Sequence, residues 1–98
     1  MHVINLKPIR AFLAQGHKDA RDPLLAWYKK ASKTKWSNLA EVRADYPHCD
    51  MYGSCYIFNI GGNKYRLIVK IEFLKGTIYV KHVLTHKEYD KDSWKNDC

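Results

Sequence analysis

The chain has 98 residues, which suffice for one domain with a modest core and leave no room for a second module. Seventeen Lys and Arg against ten Asp and Glu give a formal charge of +7, which favours an anionic partner such as nucleic acid. A hydrophobic content of 46% excludes a disordered chain, and no apolar run approaches the ~20 residues that span a bilayer.

The cysteines and the N-terminal residues indicate the cellular compartment and its redox state. Three cysteines are an odd number without CxxC spacing, which is a poor framework for disulfides or for zinc. The first residues lack the basic start and long apolar stretch of a signal peptide. We therefore expect one reduced, cytoplasmic domain over residues 1–98, with no cofactor, no metal and no membrane partner.

Helical spacing dominates the first half of the chain. Residues 2–6 can form a short strand, and Pro8 favours the start of a short helix behind it. Asp22, followed by proline, predicts the N-cap of a second helix, and Ser37 predicts that of a third, which Pro47 ends. These elements form the helical layer of the predicted fold.

Lysines crowd the end of the second helix. Lys33 and Lys35 are either a solvated helix face or a contact to nucleic acid. Trp36 follows them at a helix boundary, where a tryptophan more often packs into the core than stacks on a base. We expect Trp36 in the core.

After residue 52 the hydrophobic period changes to two. Three strands are predicted at 54–60, 64–73 and 77–84, and the Gly-Gly-Asn sequence between the first two is a hairpin turn. The fold class is therefore α+β: an N-terminal strand, two to three helices, and a three-stranded antiparallel meander packed on the helices. The other face of the sheet is expected to be partly open.

Basic and aromatic side chains at the strand ends suit a polyanion. Arg66 is expected on the exposed polar face of its strand, where its planar fork of donors matches phosphate oxygens. His86 and Tyr89 follow the last strand. His86 can exchange a proton near neutral pH, whereas Tyr89 is a weaker acid or base unless the site shifts its pKa. Lys81, another weaker candidate, has the parity to share the face of Arg66. Lys64 and Lys91 are expected to bind phosphate beside them.

Three stretches of this sequence resemble the HigB-type toxins of bacterial toxin–antitoxin pairs, within the RelE/ParE-like superfamily. They are Trp36-Ser37-Asn38-Leu39, Phe58–Arg66 and Thr85–Lys91, and the resemblance extends over residues 20–94. It implies a RelE-like fold and a metal-independent mRNA interferase that cleaves mRNA in the ribosomal A site through the RNA 2′-hydroxyl. Arg66 then stabilises the charge on the attacked phosphate, while the assignment of base and acid does not transfer.

The resemblance also implies partners, and two rival functions remain. The expected partner is a HigA-like helix-turn-helix antitoxin, and only that complex would bind operator DNA. One rival is a non-catalytic basic module that binds nucleic acid or a partner protein. The other is a ParE-like toxin that acts on gyrase, against which the pairing of His86 with Tyr89 argues.

Overall fold

The structure is a computed structural model that describes all 98 residues, Met1–Cys98. The helical layer holds α1 (Lys7–Ala14), α2 (Arg21–Lys33) and α3 (Leu39–Asp45), and a short helix α4 (His86–Asp90) follows the last strand. Single 3₁₀ turns cover Lys18–Ala20 and Ser93–Asp97. The strands are β1 (His2–Ile4), β2 (Asp50–Tyr52), β3 (Cys55–Ile60), β4 (Tyr65–Glu72) and β5 (Thr77–Thr85).

The five strands form one sheet in the order β1-β5-β4-β3-β2. The predicted meander β3-β4-β5 is confirmed, with all neighbours antiparallel. β1 is shorter than expected and pairs with β5 in parallel at one edge, and β2, which the sequence did not predict, forms the other edge. The α+β class and the order of elements are as predicted.

Two predicted helix starts were wrong by one or two residues. α2 begins at Arg21, because the 3₁₀ turn before it already supplies the first turn, so Asp22 lies inside the helix and not at its N-cap. α3 is capped by Asn38, whose side chain accepts a hydrogen bond from the Glu41 amide. Ser37, the predicted cap, stands one residue earlier and donates its amide to Glu41 Oε1.

The main core lies between the helices and one face of the sheet. Trp27 of α2 and Trp36 both pack on Phe58 of β3. Leu67, at the centre of β4, is fully buried between Phe58 and Val83, its neighbours on the flanking strands. Trp36 is 1% exposed, so the expectation that it belongs to the core is confirmed.

The second face of the sheet, which was expected to be partly open, is covered at its centre by the C-terminal residues. A small apolar cluster joins Cys55, Ile57, Ile68 and Trp94 there. Trp94, which lies in the C-terminal 3₁₀ turn, is 3% exposed. The residues of the candidate site pack directly on this second cluster.

A disulfide closes the same cover. Cys55, at the start of β3, is bonded to Cys98, the last residue, with their Cα atoms 5.4 Å apart. The expectation that all the cysteines are reduced was therefore wrong for this pair, and only Cys49 is free and buried. The pairing depends on the return of the C-terminus to β3, which no local spacing reveals.

Candidate functional site

Arg66 lies near the start of β4, between Asn59 of β3 and Leu84 of β5. Its residue is only 8% exposed, so the expectation of an exposed arginine was wrong. The reason is the C-terminal cover, which places the ring of Tyr89 5.1 Å from the guanidinium carbon. A cation on an aromatic face in a partly dry site is held more firmly than one in water.

The turn between β3 and β4 fixes the guanidinium from the other side. Arg66 Nη1 donates to the carbonyls of Asn63 (3.1 Å) and Tyr65 (3.2 Å), and Nη2 donates to Asn63 Oδ1 (2.7 Å). A guanidinium has five N–H donors. These contacts leave two N–H donors, one on Nε and one on Nη2, for the oxygens of a phosphate.

The helix α4 exists because of a complete capping box. Thr85 Oγ1 accepts from the Glu88 amide (3.2 Å), and Glu88 Oε1 accepts from the Thr85 amide (2.9 Å). This pairing turns the chain sharply at the end of β5. Tyr89 is thereby carried over the sheet, where its ring stacks on Trp94 with centroids 5.1 Å apart and planes at 11°.

His86 opens the same helix. Its amide donates to the Lys64 carbonyl (3.2 Å), which ties α4 to the β3–β4 turn. Its ring lies 6.5 Å from the Tyr89 ring, and its Nδ1 is 3.0 Å from Asp90 Oδ2. A carboxylate at Nδ1 favours the proton on that nitrogen and leaves Nε2 free to accept another. Arg66, His86 and Tyr89 therefore converge, as the sequence suggested.

Lys64 stands in the turn beside this group but is engaged elsewhere. Its ammonium pairs with Asp19, which also accepts a hydrogen bond from the Tyr65 hydroxyl. Both bonds, the Lys64 one foremost, hold the pKa of Asp19 below its usual value, and Asp19 in turn raises the pKa of Lys64. This exposed pair pins the turn whose backbone positions Arg66.

Lys91 and Lys81, two other predicted lysines, both lie beside the C-terminal residues. Lys91 follows α4 and lines a depression of about 260 Å³, together with Leu84, the cross-strand neighbour of Arg66. Lys81 is the extra residue of a β-bulge, because Ile68 pairs with His82 and Val69 with Val80. Its ammonium is 3.4 Å from the Asp97 carbonyl. Its catalytic role stays a prediction.

The bulge also moves His82. Strict alternation would place His82 on the same face as Val80, but the inserted residue turns it to the face of Ile68. There its Nε2 is 2.6 Å from Asp97 Oδ2. Lys33 and Lys35 lie on the opposite side of the sheet, at the exposed end of α2.

Sequence reasoning missed four residues of this arrangement: Asn63, Asp90, Trp94 and Cys98. Asn63 was interpreted only as a turn residue. Its side-chain amide, three residues before Arg66, could have been recognised as a hydrogen-bond partner for that arginine. Asp90, four residues after His86, was recognisable as an i, i+4 partner once α4 was predicted. Trp94 and Cys98 carry no periodic signal and depend on the tertiary fold.

Two further observations concern metal ions and membranes. No three His, Cys, Asp or Glu side chains gather where they could hold a metal ion. The helices are all too short or too polar to cross a membrane.

Comparison with known proteins gives one family. The model of the HigB toxin family, described as the RelE-like toxic component of a toxin–antitoxin system, matches residues 20–92. The mRNA interferase HigB of Escherichia coli O6:H1 is 32% identical over 94 residues, which cover 93% of this chain and 90% of that protein. The mRNA interferase toxin HigB of Escherichia coli (strain K12) is 29% identical over 93 residues, 92% and 88% of the two chains.

Proposed function

The chain belongs to the HigB family of RelE-like toxins, and we propose that it is an endoribonuclease that cleaves mRNA on the ribosome. As a member it is the toxic component of a toxin–antitoxin system. The observation that carries the proposed chemistry is the fixed guanidinium of Arg66, with two donors unused, beside His86 and Tyr89.

Arg66 binds the phosphate that is cleaved. When the 2′-hydroxyl attacks, negative charge grows on the non-bridging oxygens, and a donor pair fixed beforehand lowers that barrier. Asn63 and Tyr89 hold the guanidinium from two sides, so little reorientation is needed during the reaction. The low exposure of Arg66 strengthens its interaction with the phosphate.

His86 and Tyr89 carry the protons. With Asp90 at Nδ1, His86 takes the proton of the 2′-hydroxyl on Nε2 while the new oxygen–phosphorus bond forms. The bond from phosphorus to the 5′ oxygen breaks, and Tyr89 supplies the proton to that leaving oxygen. The products are a 2′,3′-cyclic phosphate and a 5′-hydroxyl, and no metal is needed.

The ribosome and the antitoxin contact other surfaces. Lys91, and Lys64 once it leaves Asp19, bind the phosphates that flank the scissile one. Lys33 and Lys35, across the sheet, contact ribosomal RNA. Cleavage in the A site of a cytoplasmic ribosome uses both faces at once. The cognate antitoxin is of the helix-turn-helix HigA type, and operator DNA binds only to the complex.

A defined mRNA tests this function. Purified protein is mixed with ribosomes that hold a synthetic mRNA, and the ends of the fragments are analysed. We expect fragments with cyclic phosphate ends, and no cleavage where the scissile nucleotide has a 2′-deoxyribose. Cleavage of the 2′-deoxy message at the normal rate would contradict the mechanism. Absence of any cleavage would favour the non-catalytic module.

A further inference from the structure

The C-terminal residues 93–98, called here the strap, hold the platform beneath Arg66. Arg66 lies on Tyr89, Tyr89 lies on Trp94, and Trp94 is buried against Cys55, Ile57 and Ile68. The Trp94 indole also donates to the Tyr89 carbonyl (3.0 Å). The position of the guanidinium therefore depends on the position of the strap.

The strap has one covalent anchor and a few weaker ones. Its last residue, Cys98, is bonded to Cys55, and the Cys98 carbonyl accepts from the Ser54 amide (3.1 Å) and hydroxyl (3.2 Å). Asp97 adds an exposed contact to His82. Exposed ion pairs contribute little. Trp94 adds buried apolar packing. The disulfide is the one covalent link between the strap and the sheet.

We propose that Cys55 and Cys98 are a redox-active pair whose disulfide holds Tyr89 and Arg66 in the cleaving arrangement. This inference rests on the proposed function. In the reduced protein the strap keeps only its non-covalent contacts and becomes more mobile. The platform then loosens and the cleavage rate falls. Oxidation of the cell interior would activate the toxin.

Exchange can start at one sulfur only. Cys55 is fully buried, whereas Cys98 is the half-exposed last residue of the chain. The Cys98 thiolate attacks a low-molecular-weight disulfide such as glutathione disulfide and releases one thiol. Cys55 then attacks the Cys98 sulfur of the mixed disulfide and releases the second thiol. Two cysteine thiols are oxidised, and one disulfide is reduced to two thiols.

The third cysteine does not compete in this chemistry. Cys49 is buried on the other side of β3, in the main core, and burial raises the pKa of its thiol to about 11. A thiol that stays protonated is a poor nucleophile. The variant Cys49→Ala is therefore a matched control that keeps the redox response.

The test compares oxidised and reduced wild-type protein with Cys98→Ser and Cys49→Ala. Steady-state cleavage of ribosome-bound mRNA is measured over a range of substrate concentrations, and amide hydrogen exchange is followed over residues 86–98. Reduction should lower the rate about tenfold with little change in KM, since a displaced group harms the reacting geometry. It should also speed exchange in the strap and lower Tm by roughly 10 °C.

Further measurements distinguish an effect of the disulfide on the cleavage rate from an effect on folding alone. Assays run at 25 °C, where circular dichroism shows every variant folded. Reoxidation should restore the rate of wild-type protein and Cys49→Ala, and Cys98→Ser should stay slow in either condition. Equal rates for the oxidised and reduced protein, or a faster reduced protein, would overturn the inference. If neither the oxidised nor the reduced protein cleaves, the proposed function itself fails. Unchanged exchange in the strap would then also show that the disulfide does not hold it.

Discussion

The substitution Asn63→Ala should lower the cleavage rate while leaving the stability of the protein almost unchanged. The Asn63 side chain accepts a 2.7 Å hydrogen bond from Arg66 Nη2, while the residue itself is exposed. In Asn63→Ala the two backbone acceptors of Nη1 remain, so Arg66 stays in place but loses the bond that sets the rotation of its fork. The variant keeps the positive charge of Arg66 and changes only the orientation of its guanidinium.

The expected magnitudes differ for the two properties. Water can replace the lost acceptor at an exposed site, so the free energy of unfolding should fall by about 1 kcal/mol or less. A reacting group displaced by about 1 Å can cost on the order of 100-fold in rate. We expect a loss of about 10- to 100-fold in single-turnover cleavage, which corresponds to roughly 1.4–2.7 kcal/mol in the activation barrier.

The assay pairs thermal melting with cleavage of ribosome-bound mRNA. Gln15→Ala is the matched control, since it removes another exposed amide, at the end of α1 on the helical layer, and should change neither property. If Asn63→Ala cleaves at the wild-type rate, the orientation of Arg66 by the turn plays no part in the chemistry. If it melts far below wild type, the bond is structural.

Three further predictions concern the core, the pH dependence and the metal. Leu67→Ala, at a fully buried position of β4, should lower the free energy of unfolding by roughly 2–5 kcal/mol, as measured by urea denaturation. Asp19→Asn removes the partner of Lys64 and Tyr65, so it should destabilise the protein at neutral pH. Because the pKa of Asp19 is lowered from 3.8, this difference from wild type should persist above pH 3.8 and vanish as the pH falls through the lower folded value. Chelation of divalent ions should leave cleavage unchanged, provided that the ribosomes remain intact.

Each of these has a contradicting result. A Leu67→Ala protein as stable as wild type would place that side chain outside the core. A stability difference for Asp19→Asn that grows toward acid pH would reverse the sign of the linkage. Activity lost in chelator and restored by one divalent ion, in a substrate that is otherwise intact, would introduce a metal into the mechanism.

The meander was predictable from the sequence because its signals are local. Residues 64–73 alternate between apolar and polar side chains, and a turn bounds each strand, so register and neighbours follow. Arg66, His86 and Tyr89 converge because β4 and β5 are antiparallel neighbours, so the start of β4 lies beside the end of β5. The helix starts were less certain, because a 3₁₀ turn can supply the first turn of a helix before its apparent cap.

The covered face was not predictable, because its causes are distant in sequence. Nothing periodic marks residues 92–98, so the burial of Trp94 and the bond between Cys55 and Cys98 arise only after the chain has folded back. The burial of Arg66 follows from that return. Likewise, the bulge at Lys81, which turns His82 to the other face, leaves no trace in the alternation of β5.

The central claim is that the guanidinium of Arg66 stabilises the phosphate during cleavage of mRNA. The most direct measurement is the single-turnover cleavage rate of Arg66→Ala and Arg66→Lys on ribosome-bound mRNA, with folding of each variant checked by circular dichroism. Arg10→Ala, which removes an exposed arginine from the helical layer, is the control. We expect a loss on the order of 100-fold for Arg66→Ala. A smaller loss is expected for Arg66→Lys, which keeps the charge without the fork. The control should cleave at the wild-type rate. A folded Arg66→Ala protein that cleaves as fast as wild type would contradict the account.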